Sequence, residues 1–298
     1  MYYYNVNYDV EFDLKIAVPV ILTAIGLSGN SWTLFIYTRP CFKNKSVFRY
    51  LIISIVSNTL VLISLWPYIL FEIFIEYINR TSCKVIQYFG NLFYLYCPWI
   101  LVVISIDHLF SIKFPNRYKF RRKLKFQAKL LTIIFIIITI LTTPFYWYND
   151  VEIILNRTLC SISDPYTQYL VSFSFAFLNL FIPLIIITLC MISICYHVHA
   201  NKVALLQKRK YSRKVKHIKF MIAVDSFYFI CNSPYWIQKM IIDKSASSSY
   251  SYYICFIANY FIYVQSSFCF FISYKFNKLF RRHTVFKQCS TNRILPRN

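Results

Sequence analysis

Seven stretches of this chain stay apolar for longer than an ordinary soluble helix or strand requires. They cover residues 14–37, 47–71, 87–112, 130–147, 169–196, 218–241 and 252–274. About 20 predominantly apolar residues are enough to cross the hydrocarbon core of a bilayer as a helix. Most runs are rich in Ile, Phe and Tyr, which suit strands in water. Their length and their lack of two-residue alternation favour helices, because a membrane barrel needs shorter, alternating strands. Composition agrees: 58% of the 298 residues are hydrophobic, 20% are aromatic and three are glycine. That much apolar surface excludes disorder, and the glycine count and length exclude collagen-like and disulfide-scaffold classes. No linker or low-complexity tract divides the chain, so one domain is expected.

The formal net charge of +22 would suit a nucleic-acid binder if the chain were soluble. Sorted by side of the membrane, it reports topology instead. The 1–2, 3–4 and 5–6 connections and the tail hold 27 of the 33 Lys and Arg, while nine of the 11 acids fall on the opposite side. The positive-inside rule then puts the basic side in the cytoplasm and the N-terminus outside, as expected for a multi-pass protein of the plasma membrane. Attraction to anionic lipid accounts for the basic runs 117–129 and 208–219, and nucleic acid is not an expected partner. The polar, acidic start MYYYNVNYDVEFD is unlike a cleavable signal peptide. Asn79 and Asn156 head glycosylation sequons on the outer side.

A set of motifs, in order and each on its own run, carries a resemblance. It comprises Gly29-Asn30 in the first run, Asn58 with Pro67 nine residues on in the second, and Cys83 opening the third. Asp107-His108-Leu109 with Pro115 follows, then Pro183, then Cys231-Asn232-Ser233-Pro234, and finally Tyr274 with the Lys278-Leu279-Phe280-Arg281-Arg282 segment. The chain resembles rhodopsin-like (class A) G-protein-coupled receptors from about residue 21 to residue 282. The resemblance implies an all-α membrane protein, a seven-transmembrane helix bundle with a short amphipathic C-terminal helix. It divides the chain into an extracellular N-terminus (1–13), a receptor domain (14–274) and a cytoplasmic amphipathic helix with a basic tail (275–298).

The resemblance also implies roles. Cys83 and Cys160 would form a disulfide that holds the second outer loop over the bundle mouth, which the oxidising outer compartment permits. Gln87, Asn91, Tyr94, Tyr235, Gln238, Lys239, Tyr260 and Tyr263 are candidate ligand-binding residues, some of them equally suited to an interfacial aromatic belt. The family positions of an amine-binding Asp and a retinal-binding Lys fall on Gly90 and Val264, which supports neither ligand. The acidic outer side and Tyr-rich N-terminus suit a basic or amidated peptide. Asn58, Asp107, His108, Asp225, Asn232, Pro234 and Tyr274 are candidate switch and coupling residues, and a heterotrimeric G protein is the implied inner partner.

Several of these positions depart from the family pattern. Asn58 stands for an Asp, so the sodium site built there loses its charge. His108 stands for an Arg, Asn232 for a Trp, and Phe270-Phe271 for Asn-Pro. His108 weakens any lock with Asp107, since an imidazole lacks the permanent charge and bidentate fork of a guanidinium. Alternatively Asp107 and His108 are an ordinary solvated helix end. Asp225, alone at depth, is expected to face the bundle and make a structural or switching hydrogen bond, or to reach toward the cytoplasm. Cys289 suits palmitoylation or a free cytosolic thiol. No nucleophile–base pair, metal-ligand cluster or phosphate loop is present, so neither an enzyme nor a cofactor is expected. Two alternatives stay open: a degenerate receptor that does not signal, and a transporter, against which one intramembrane Asp and seven spans speak.

Overall fold

The computed structural model describes residues 8–43, 46–73, 79–114, 123–154, 157–162, 164–200, 208–241 and 249–284. Each apolar run becomes a long helix. The first three spans are Tyr8–Tyr37, Ser46–Ile73 and Arg80–Lys113. The fourth is Leu124–Leu141, continued by Thr143–Tyr148, and the fifth is Pro165–Ala176 and Ile182–Ala200, joined by a π-turn at Phe177–Phe181. The sixth is Lys208–Ile241 and the seventh Ser249–Phe276. Among the described residues, five of these helices are apolar enough to cross a membrane by composition alone. The sixth and seventh fall short because the sixth begins in a basic stretch and both bury polar residues, including Asp225, Asn232, Ser266, Ser267 and Ser273, against the other spans.

The helix ends are closed by side chains that the sequence places there. Asn79 Oδ1 accepts the Ser82 N–H at 2.7 Å to start the third span, and Asp164 accepts the Thr167 N–H at 2.8 Å to start the fifth, with Pro165 in the first turn. Asn277 Oδ1 accepts the N–H groups of Leu279 and Phe280, both at 3.1 Å, and so starts the short helix Lys278–Thr284. That helix buries Phe280 against Tyr37 and Phe270, whereas Lys278, Arg281 and Arg282 stay exposed.

The third span is the axis of the bundle. In its apolar stretch 72% of residues are buried, against 11% in the fourth span, which presents Ile133, Ile136, Ile137 and Ile140 outward. The second, fourth and fifth spans pack around the third, and the seventh packs against the first, second and sixth. Gly26 permits the closest approach. A Cβ there would meet the Leu62 side chain and lie 3.1 Å from Ser267 Cα.

The connection between the fourth and fifth spans carries strand structure. Asn149–Ile154 (β1) and Arg157–Ile162 (β2) form an antiparallel hairpin in which Val151 stands opposite Cys160. Within β1, Asp150, Val151, Glu152 and Ile153 alternate polar and apolar residues, the period of a sheet.

Candidate functional site

At the outer end the hairpin is tethered to the third span. Cys83, in the first turn of that helix, is joined to Cys160 by a disulfide with a Cα separation of 5.6 Å. Gln87, one turn on, donates from Nε2 to the Cys160 carbonyl at 3.3 Å, and Arg80 pairs with Asp150 of β1. The Val151 N–H, with Arg80 beside it, holds the Asp150 carboxyl below the usual carboxylate range. The hydroxyl and N–H of Thr167 do the same for Asp164. Asn91 donates to the Gln87 carbonyl at 2.7 Å. Gln87 and Asn91 therefore serve the tether and their own helix. The side chain of Lys239, and Asn156 and Cys289, lie outside the described residues.

Below the tether the third and sixth spans meet through aromatic rings. Tyr94 stacks on Trp236 with centroids 6.1 Å apart, Tyr235 meets Trp236 edge-on at 4.8 Å, and Phe175 of the fifth span lies 6.2 Å from Trp236. Tyr263 is within electrostatic reach of Tyr235 and Tyr260. The structure thus gathers Tyr94, Tyr235, Tyr260 and Tyr263 in one region, with Gln238 half-buried nearby on the sixth span. Trp236 and Phe175 were not singled out in the sequence. Trp236 lies one helical turn outward of Asn232, so the indole missing from that position returns four residues later on the same face.

Tyr94 also carries this region inward. Its hydroxyl donates to Asn232 Oδ1. Asn232 Nδ2 donates to the Tyr228 carbonyl at 2.7 Å, and the Tyr228 hydroxyl donates to Asn179 Oδ1 at 2.7 Å. Third, sixth and fifth spans are joined by this chain. All four side chains are buried, which is why each polar atom that finds a partner matters.

Asn58 centres a second, uncharged knot. Its Nδ2 donates to Cys269 Sγ at 3.1 Å, and its Oδ1 accepts from Cys97 Sγ at 3.3 Å and Ser266 Oγ at 3.4 Å. Asn30 reaches the Ser266 carbonyl at 3.1 Å. Thiols, hydroxyls and amides fill the place where an ion would need an anionic ligand. Among the described residues no group of three His, Cys, Asp or Glu side chains is placed to hold a metal ion.

At the inner end Asp107 accepts a hydrogen bond from Ser46 Oγ of the second span at 2.9 Å, and Ser46 in turn accepts from Gln127 Nε2 of the fourth. His108 is buried beside Asp107. Tyr274 is 43% exposed and stacks on Phe270, turned away from the bundle interior, while Tyr37 enters the bundle and bonds Ser273 at 3.1 Å. Asp225 faces the bundle as expected, beside Cys190 of the fifth span, but neither of its oxygens has a hydrogen-bond partner among the described residues. Pro234 is half-buried one turn outward of Ile230.

Residues 29–269 match the family described as 7 transmembrane receptor (rhodopsin family). The chain is 24% identical over 249 residues to the G-protein coupled receptor homolog K2 of Swinepox virus (strain Kasza), a match covering 78% of this chain. It is 23% identical over 244 residues to the C3a anaphylatoxin chemotactic receptor of Danio rerio, covering 79% of this chain. These matches span 62% and 64% of those two relatives. It is 24% identical over 264 residues to the RYamide receptor of Tribolium castaneum, covering 79% of this chain and 70% of that one. A match over most of its length, on a bundle of seven spanning helices, places this chain in the rhodopsin family of seven-transmembrane receptors, which are receptors and not enzymes.

Proposed function

We propose that the chain is a plasma-membrane receptor, N-terminus outside and C-terminus in the cytoplasm. It binds an extracellular peptide between the outer ends of its spans and passes the signal to a heterotrimeric G protein. The observation that carries this reading is the continuity from Tyr94, Tyr235 and Trp236 at the outer end to Asn232 and Tyr228 deeper in the bundle. A ligand that displaces those rings acts on hydrogen bonds linking three spans, which is the differential contact a population shift requires. A peptide fits for two reasons. The outer hairpin satisfies its own backbone and is tied to the third span at Cys160, which holds it at that end of the bundle. The acids on that side attract basic ligands, and relatives named for RYamide and somatostatin point the same way.

Asn79 accommodates a glycan, because its Oδ1 caps the helix while Nδ2 is the atom a glycan takes. A second reading, a receptor that binds without signalling, draws on the inner end, where Asp107 is bonded to Ser46 and its neighbour is an imidazole. Expression with a panel of G proteins and of basic and amidated peptides separates the two. A peptide-dependent response is expected, and His108→Arg should strengthen it. Silence across the panel with normal surface expression overturns signalling.

A further inference from the structure

The inner end of the fifth span brings two metal-ligating side chains to one outward face. In the last turns of Ile182–Ala200, Cys195 is a free, exposed thiol, and His199, four residues on, is exposed as well. Residues four apart on a helix are neighbours, with Cβ atoms about 5–6 Å apart. Zinc binds thiolate sulfur at about 2.3 Å and imidazole nitrogen at about 2.0–2.1 Å, so both side chains can reach one ion. His197 lies between them in sequence, but a two-residue step turns it to another side of the helix, where it is half-buried.

A thiol and an imidazole select a zinc-like ion over calcium or magnesium, which prefer oxygen ligands. Two ligands are half of what such an ion takes, because a structural zinc is four-coordinate. Among the described residues no group of three ligating side chains is placed to supply the rest from within the chain. The setting favours completion from outside. Cys195 and His199 share their stripe with Ile192 and Tyr196, which are 62% and 75% exposed, so an ion held there stands at the perimeter of the bundle. A second copy related by a two-fold axis brings the same pair to the same point, since such an interface is self-complementary. Together they make the two-cysteine, two-histidine set of structural zinc sites. Charge agrees. Each thiol gives its proton to solvent on binding, so two thiolates cancel the dication and leave a neutral centre beside an apolar span. Without metal, the basic run 208–219 that follows the pair in sequence makes two copies repel.

We propose that Cys195 and His199 are half of a zinc site, completed by the same two residues of a second copy, and that zinc joins two receptors along their fifth spans. The site needs neither the extracellular ligand nor a G protein. With this end in the cytoplasm, as proposed above, the thiol stays reduced and available to the metal.

The test uses the full chain, stripped of metal and kept reduced, first in detergent micelles. Zinc chloride is titrated in and the mass of the particle followed by light scattering. Zinc should convert monomer to dimer with one ion for two copies. Cobalt(II) in its place should give the visible absorption of a tetrahedral thiolate–imidazole centre. Cys195→Ser and His199→Ala should each weaken zinc-driven dimerisation by about 100-fold or more, beyond what loss of an outer partner of a ligand costs. His197→Ala should leave it within about twofold, because that ring faces elsewhere. Metal-free melting temperatures of the three variants, matched to the wild type, verify that each is folded. A wild type that stays monomeric, or that binds one ion per copy without pairing, overturns the proposal. So does a dimer that survives Cys195→Ser or His199→Ala, or an equal loss in His197→Ala. Nanodiscs holding two copies should give the same cobalt spectrum. Its absence there would mean an antiparallel pairing that a membrane forbids, which also overturns the shared site.

Discussion

The seam between the first, second and seventh spans and the seam between the third, fifth and sixth are built on different terms. Along the former, Gly26 lets the helices close to contact, Ser267 bonds the Leu22 carbonyl at 2.8 Å, and Asn30 and Asn58 tie the seventh span by side chains. Along the latter, the contacts run through the π-turn of the fifth span, where Trp99 meets the Leu178 carbonyl at 3.1 Å and Tyr228 the Asn179 carbonyl at 3.5 Å, and Asp225 beside them has no hydrogen bond among the described residues. Close packing with many bonds resists displacement, since no one of them can be exchanged for another. A joint made of few bonds around a backbone break has a second arrangement within reach. One half of the bundle is bonded as a frame and the other is joined by fewer bonds.

That contrast can be broken where it is strongest. Gly26→Val places a branched side chain against the Leu62 side chain and the Ser267 backbone, and only the former can yield. It should cost about 3 kcal/mol, the upper end for overpacking, and be read as loss of surface expression and a lower melting temperature. Expression at the wild-type level would show that the frame is not tight. Asn58→Leu comes next. It removes the bonds that Asn58 makes with Ser266, Cys97 and Cys269, at about 2 kcal/mol. Its melting temperature should fall in sodium and in choline buffers alike, since no charged ligand holds an ion there. The smallest change has the opposite sign. Asp225→Leu replaces a buried carboxyl without hydrogen bonds by an apolar side chain, and should stabilise the resting bundle by about 1 kcal/mol. A loss of stability would mean that Asp225 has a partner and that the third, fifth and sixth spans are more firmly bonded than described.

Most of the fold was legible because bilayer thickness dictates helix length, and all seven apolar runs lie within the helices that formed. The ends were less so. Helices ran past the apolar runs into Arg80–Ile86 and Lys208–His217, where capping and helix propensity, not hydropathy, decide the boundary. The hairpin was hidden because the sixteen residues between the fourth and fifth spans look like a connection, and only Asp150–Ile153 shows two-residue alternation. At the site, Tyr94, Tyr235 and Asn232 were legible through the family resemblance. Tyr228, Asn179, Ser46 and Gln127 were not. Their partners lie on other spans, and the π-turn shifts the phase of the fifth helix in a way a straight 3.6-residue count misses.

The short helix after the seventh span sets a level as well as an end. Phe280 is bolted between Tyr37 and Phe270, so the exposed Lys275, Lys278, Arg281 and Arg282 are held at a fixed height relative to the seven spans. With this end on the cytoplasmic side, as proposed, and about 1 kcal/mol per cation near an anionic leaflet, those four would make the molecule sensitive to what that leaflet is made of. Such a protein should gather where phosphatidylserine and phosphoinositides are dense, and sit less deeply secured where they are depleted.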